Sequence, residues 1–160
     1  MKIKHASLSD LDNLTKAEAV CFPGKEAATK EILRARLRAY PGHFWLLYEG
    51  EQLLGYANGP VTDLPDPTET FYKRAEMHRE NGAWQMLLGL GIIPAYRHSG
   101  LASMLLKHVI NTAKKQGRRG VILMCRESQA DFFEIFNFKI EKSCPSFSDN
   151  AAWIFMRLQF

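Results

Sequence analysis

Three cysteines in 160 residues, Cys21, Cys125 and Cys144, are too few and too scattered for a disulfide framework or a metal-binding spacing. Each reads as a small buried hydrophobe in a reducing compartment. No apolar run approaches the ~20 residues that cross a bilayer. Met1 to Ser7 is short and charged and lacks the apolar core of a secretory signal, so a cytoplasmic chain with no membrane partner is expected. A Gly-Lys-Ser/Thr sequence is missing, which excludes the nucleoside-triphosphate P-loop, and so is the three-glycine dinucleotide fingerprint. The net charge of +4 suits a polyanionic small ligand as well as a nucleic acid. Without zinc-finger spacing or an RNA-binding aromatic motif, no nucleic-acid partner is expected.

What is present is an ordinary globular composition, 46% apolar and 24% charged, of a length that suits one domain over residues 1–160. A short first strand, KIKHAS, precedes a helix on which Leu8, Leu11, Leu14, Ala17 and Val20 recur, with Ser9 as its N-cap and Phe22-Pro23-Gly24 as its end. Thr29 to Ala39 reads as a second helix, apolar at Ile32, Leu33 and Leu37, with Arg34, Arg36 and Arg38 turned mostly to water. HFWLLYE and QLLGYANGPV, joined by Glu49-Gly50-Glu51, form a β-hairpin. The polar stretch Asp63 to Asn81 holds two prolines and a short candidate helix from Thr68 to His78. It reads as a functional loop or lid, the alternative being a surface excursion without a role.

WQMLLGLGII is a strand buried on both faces, and Gly89 and Gly91 predict a bulge or a close backbone approach within it. A long helix follows from Gly100 to about Gln116, with Leu101, Met104, Leu105, His108, Val109 and Thr112 on one face and Gly117 as C-cap. GVILMC is another buried strand, and SQADFFEIF a short helix capped by Ser128 and ended by a left-handed Asn137. FKIEKSC and AAWIFMRLQF close the chain as strands around a Pro145 to Asn150 turn. This order predicts an α+β fold, a mixed and mostly antiparallel sheet flanked by helices.

The junction AYRHSGLASML carries the chemistry. A helix start offers unpaired N–H groups and partial positive charge to an anion. Gly100 allows close main-chain approach, Arg97 adds a cation that can fork onto phosphate, Ser99 adds a hydroxyl donor, and Ala102 and Ser103 keep the first turn clear. Glycine ahead of a helix also arises from packing alone, so the stretch does not by itself identify a ligand.

RHSGLA resembles the R/Q-x-x-G-x-G/A motif of the GNAT acetyltransferase superfamily, in the expected place between a glycine-containing strand and a long helix. LMCRESQADFFEIFNF, the CFP that ends the first helix, and IIPAYRHSGLASMLLKHVI are similar to the serotonin (arylalkylamine) N-acetyltransferase branch. The resemblance covers most of the chain, least clearly Asp63 to Asn81. It implies a sheet splayed at its middle strands, Trp84–Ile93 and Gly120–Arg126, with acetyl-CoA between them and no metal. Leu90, Gly91 and Ile92 would pair with the pantetheine arm. Arg97, His98, Ser99, Gly100, Leu101, Ala102 and Ser103 would hold the pyrophosphate, and Phe133 would line the cofactor. Lys114 to Arg119 reads as a solvated helix end, the alternative being a basic end that attracts the anionic nucleotide.

The implied reaction is direct acyl transfer to a primary amine, with an N–H near Leu90 facing the oxyanion. Met86 and Leu88 occupy the positions of that branch's two histidines, and Phe133 that of its acidic tyrosine; none of the three moves a proton. His78 and Glu80, just before the central strand, are the candidate bases, with Glu127 a further one. Phe22, Phe71, Tyr72 and Trp84 would line an acceptor pocket between Phe22–Ala28 and the loop, and Asp63, Asp66, Glu69 and Glu76 would attract a cationic amine. An arylalkylamine or polyamine acceptor is expected, to a monomer or homodimer. A non-catalytic acyl-CoA-binding module and a protein N-terminal or lysine acetyltransferase are the alternatives.

Overall fold

A computed structural model of the chain describes residues 1–22, 24–66, 68–144 and 152–160. Pro23 and the Pro145 to Asn150 turn lie outside the described residues. Thirteen regular elements are seen there: β1 Lys2–His5, α1 Leu11–Cys21, α2 Lys30–Ala39, β2 Phe44–Glu49, β3 Gln52–Asn58, β4 Val61–Thr62, β5 Trp84–Leu87, β6 Gly89–Ile92, α3 Leu101–Lys115, β7 Gly120–Arg126, α4 Ala130–Glu134, β8 Lys139–Ser143 and β9 Trp153–Gln159.

The strands form one sheet in the order β1-β2-β3-β6 and another in the order β4-β5-β7-β9-β8. Every pairing is antiparallel except β5 with β7. The expected mixed, mostly antiparallel sheet is therefore present. The expected single central strand is split in two, because Leu88 interrupts it. From Gln85 to Gly89 the chain advances four residues, while the partner strand advances three, from Val61 to Asn58. One extra residue on one side of an antiparallel ladder is a β-bulge, which bends the strand. The last residue of β5, Leu87, pairs with Leu123 on β7. Beyond it β6 follows β3 instead, and the sheet opens between β6 and β7.

Three apolar layers hold this frame. α3 packs Leu101, Leu105, Leu106 and Val109 on one face, over Leu47, Ala57, Leu87, Ile92 and Leu123. On the other face α1 and α2 bring Leu14, Ala17, Leu33 and Leu37 to Phe44, Leu46 and Tyr56. Beside them Phe71 joins Trp84, Met86, Ile122 and Phe155. Met104, expected on the buried face of α3, is exposed; Leu106 and Ile110 take the inner positions. The end of α3 is a Schellman motif: Gly117 is left-handed at φ 76°, and the N–H groups of Gly117 and Arg118 reach Lys114 and Ala113 carbonyls at 3.0 Å each.

Local signals at helix starts were less accurate. Ser9 does not cap α1, since a 3-10 turn, Leu8–Asp10, comes first and Asp10 accepts from the Ser7 N–H at 2.9 Å. Ser128 likewise lies inside a 3-10 turn ahead of α4. Thr29, read as the first residue of the second helix, is instead the N-cap of α2, its hydroxyl accepting from Ile32 N–H at 3.3 Å, and Asn137 is left-handed as expected, at φ 71°. The stretch 63–81 makes two 3-10 turns, Glu69–Tyr72 and Ala75–Met77, not one helix.

Candidate functional site

The open edge of β6 follows from its ladder. Ile93 N–H donates to Leu54 C=O at 2.9 Å, and Gly91 lies opposite Tyr56. In an antiparallel pair the bonding residues alternate. Gly91 therefore bonds toward β3, while the peptide groups of Leu90 and Ile92 point into the gap facing β7. Of the three residues expected to meet a pantetheine arm, Gly91 has a different role. A Cβ on it would stand 3.2 Å from both Cys21 Cβ and the Tyr56 ring, so glycine lets α1 settle on the strand.

The gap leads to the start of α3. Met104 N–H makes the first helical bond, to Gly100 C=O at 3.1 Å, which leaves the N–H groups of Leu101, Ala102 and Ser103 without intrahelical acceptors. His98 and Gly100 are left-handed, at φ 62° and 83°, and Ser99 between them is not. Such alternation turns successive N–H groups toward one side, a concavity suited to an anion. No atom lies within 4 Å of a Cβ placed on Gly100, so its left-handed backbone, not crowding, requires glycine. The side chains do less than expected. Arg97 donates from Nε to Ile92 C=O at 2.9 Å and from Nη2 to Cys21 C=O at 3.2 Å, bracing the ends of β6 and α1. The Ser99 hydroxyl donates to Tyr96 C=O at 2.5 Å. Phe133 is buried on α4, edge-on to Phe132 and Phe138 in the core.

His78 and Glu80 do come together, with His43 and Arg118. Glu80 meets His43 Nε2 at 2.7 Å, His78 Nε2 at 3.6 Å and Arg118 at 3.2 Å. Gln85 anchors the group: its amide nitrogen donates to Gly59 and Met86 carbonyls, leaving Oε1 to accept from His43 Nδ1 at 2.9 Å. Gln85 is five residues from Leu90, about 15 Å of extended chain. The pair sits at the closed end of β5 and β7, away from the gap.

Ligand atoms of His43, His78 and Glu80 lie within 4.8 Å of one another, a spacing that could hold a metal ion. The Val61 N–H, however, donates to His78 Nδ1 at 2.9 Å, so a neutral His78 carries its proton on Nε2, the atom facing Glu80. Arg118 already supplies a positive charge there. The donor set is that of a hydrogen-bonded ion cluster. Burial, then the nearby His43, holds the His78 pKa below its ordinary value. For Glu80 burial acts upward, but the His43 hydrogen bond and the charges of His43, His78 and Arg118 prevail, and its pKa falls.

The expected acceptor-pocket residues are mostly engaged elsewhere. Phe71 and Trp84 are buried in the core, and the Arg157 guanidinium lies 4.4 Å from the Trp84 ring centre. Asp63 accepts from Ala83 N–H, Asp66 faces Lys142 and Arg157, and Glu76 binds Arg74. The residues that do line the sheet beside the bulge, on the α1 and α2 side, are polar and buried. Glu18 accepts from the Tyr56 hydroxyl and from Ala28 N–H, and Arg36 reaches Asn58 and Tyr72. Burial pushes the Tyr56 and Tyr72 hydroxyls above their usual pKa. Across the gap on β7, burial and then Cys144 push the Cys125 thiol up to about 12, far from a thiolate at neutral pH. The signal for Glu18 and Arg36 was available: Glu18 is four residues from Leu14 on α1, and Arg36 three from Leu33 on α2, both on apolar stripes.

A sheet parted at a bulge, with a helix opening at the mouth of the gap, is the class of α+β fold these elements build. The family model for the acetyltransferase (GNAT) family matches residues 10–138, and the chain belongs to that family. Among solved structures, the loading GNAT-like domain of CurA from Lyngbya majuscula superposes with a TM-score of 0.87 and 18% identity, over 99% of this chain and 96% of that one. The GphF GNAT-like decarboxylase in complex with isobutyryl-CoA gives 0.84 and 24%, over 99% of each chain. The ribosomal-protein-S18-alanine N-acetyltransferase from Escherichia coli gives 0.75 and 16%, over 99% and 92%. No curated protein sequence matches the chain. These varied relatives lend no support to the serotonin N-acetyltransferase branch suggested by the C-terminal motif.

Proposed function

We propose that the chain is an acetyl-CoA-dependent N-acetyltransferase acting on a primary amine of a small molecule, by direct transfer with both reactants bound. One observation carries the reading: the N–H and C=O of Leu90 and the N–H of Ile92, turned away from β3, face the same gap that leads to the unbonded N–H groups at the start of α3, while Arg97 takes the Ile92 C=O. The first would pair with the amides of the pantetheine arm. The backbone of His98, Ser99, Gly100, Leu101, Ala102 and Ser103 would hold the diphosphate, with Arg97 as the brace. Solved GNAT structures similar to this chain hold isobutyryl-CoA or acetyl-CoA, and acetyl-CoA would lie along the polar edge of β6 here.

Proximity supplies most of the acceleration. The thioester needs little acid, since a thiol's pKa is about 8.5. We assign His78 and Glu80 to anchoring the 63–83 segment, because the geometry keeps them from the gap. A second reading, a CoA-binding module without transfer, is favoured by Met86, Leu88 and Phe133, side chains without a transferable proton at the positions where the resemblance places proton-handling groups. A single-turnover assay with acetyl-CoA, arylalkylamines, polyamines and an N-terminal peptide separates the readings. Thiol release with a small amine is expected. CoA binding without release from any acceptor selects the module, and release with the peptide alone selects a protein acceptor.

A further inference from the structure

Arg36 is an arginine where the sequence pattern calls for a core residue, one helical turn from Leu33 and from Tyr40 on the inner stripe of α2. It is 4% exposed. Nη1 donates to Asn58 Oδ1 at 3.1 Å and Nη2 to Tyr72 C=O at 2.8 Å. Both acceptors are neutral, and among the described residues no carboxylate lies within ion-pair distance of the guanidinium. The buried acid of the same layer, Glu18, is already held by Tyr56 and Ala28. A buried cation without a counter-charge is among the most costly groups a fold can carry.

Three donors around it are buried without an acceptor: Arg36 Nε, Asn58 Nδ2 and the Tyr40 hydroxyl. The Asn58 amide shows where one of them points. With Oδ1 committed to Arg36, Nδ2 points at Gly89 and would be 2.8 Å from a Cβ there. Gly89 is the residue just past the bulge, so the Asn58 amide, bonded to Arg36, abuts the point where the sheet parts.

We propose that Arg36, with Asn58 and Tyr40, receives a carboxylate carried by one of the two reactants, either on the acyl chain of the thioester or beside the acceptor's amine. The inference rests on the acyl-CoA reading above. A planar anion of single charge matches a single guanidinium and its fork of donors. A carboxylate on the Nε edge meets the unpartnered Nε–H and takes over Nη2 from the Tyr72 carbonyl.

Calorimetry on the full chain tests this with matched pairs. Malonyl-CoA and succinyl-CoA are compared with acetyl-CoA. Tryptophan is then compared with tryptamine, and ornithine with putrescine, in the presence of CoA. In one arm the carboxylate-bearing member should bind about tenfold tighter or more. Arg36→Met should abolish that preference and leave the Kd for CoA itself within about twofold. Tyr40→Phe, which removes one oxygen that has no hydrogen-bond partner to lose, should reduce the preference severalfold even if Arg36→Met fails to fold. Equal binding within every pair overturns the proposal, as does a preference that either variant leaves intact. CoA binding without carboxylate preference defeats this inference alone, whereas no CoA binding defeats the acyl-CoA reading as well.

Discussion

Gly100 concentrates the consequences of a single residue. At φ 83° an L side chain is strained, and a β-branched one most of all. Gly100→Val is expected to cost about 1–2 kcal/mol in stability and to weaken CoA binding tenfold or more by turning away the N–H groups of the first turn. Calorimetry with an unchanged Kd would reject the placement of the diphosphate. His78 makes a pH prediction. Its folded pKa lies below the ordinary 6.5, so below that pH the unfolded chain takes up a proton that the folded one resists. The contribution is fully present above pH 6.5 and is lost as the pH falls through the folded value. The His78 ring protons should titrate by NMR with a midpoint below 6.5, and a midpoint above it would contradict the burial described here. Charged residues were the hardest to place from sequence. Arg36 and Glu18 sit on apolar stripes, yet charge predicts exposure so strongly that their buried hydrogen bonds, made to residues 22 and 38 positions away, were not legible locally.

At the scale of elements, the glycines of the central run were informative, because a strand seldom keeps two without a bulge or a close neighbour. The structure shows both, the bulge at Leu88 and the contact at Gly91. Gly91→Val should push against Cys21 and Tyr56 and cost about 1–3 kcal/mol in urea denaturation. The α3 boundaries were legible because Gly100 and Gly117 both punctuate it in left-handed conformation. The 63–81 stretch was read as a helix-bearing lid from its length and charge. In the structure its turns are tied down by Phe71 in the core, by Arg36 to Tyr72, and by the His78–Glu80 cluster. Those ties are long-range, and no local pattern announces them.

For the molecule as a whole, a ligand that bridges β6 and α3 binds only the folded chain. At a hundredfold excess over Kd it should add about 2.7 kcal/mol, and for a chain of this size raise Tm by about 5–10 °C. A thermal shift with CoA that stays flat would count against the open edge as its seat. The fold class was legible because the order of elements constrains how the layers pack. The parting of the sheet came only through the family resemblance, because it depends on a ladder register between segments far apart in sequence.

That register makes Leu88 a removable spacer. The side chains of Trp84 and Met86 and the missing ones of Gly89 and Gly91 share one face, and those of Leu87, Leu90 and Ile92 the other. Excising Leu88 would leave each of them on its present side and merge the two offsets against β3 and β4 into one. The shortened chain should still fold, but as an uninterrupted ribbon that continues alongside β7, with the cleft zipped shut.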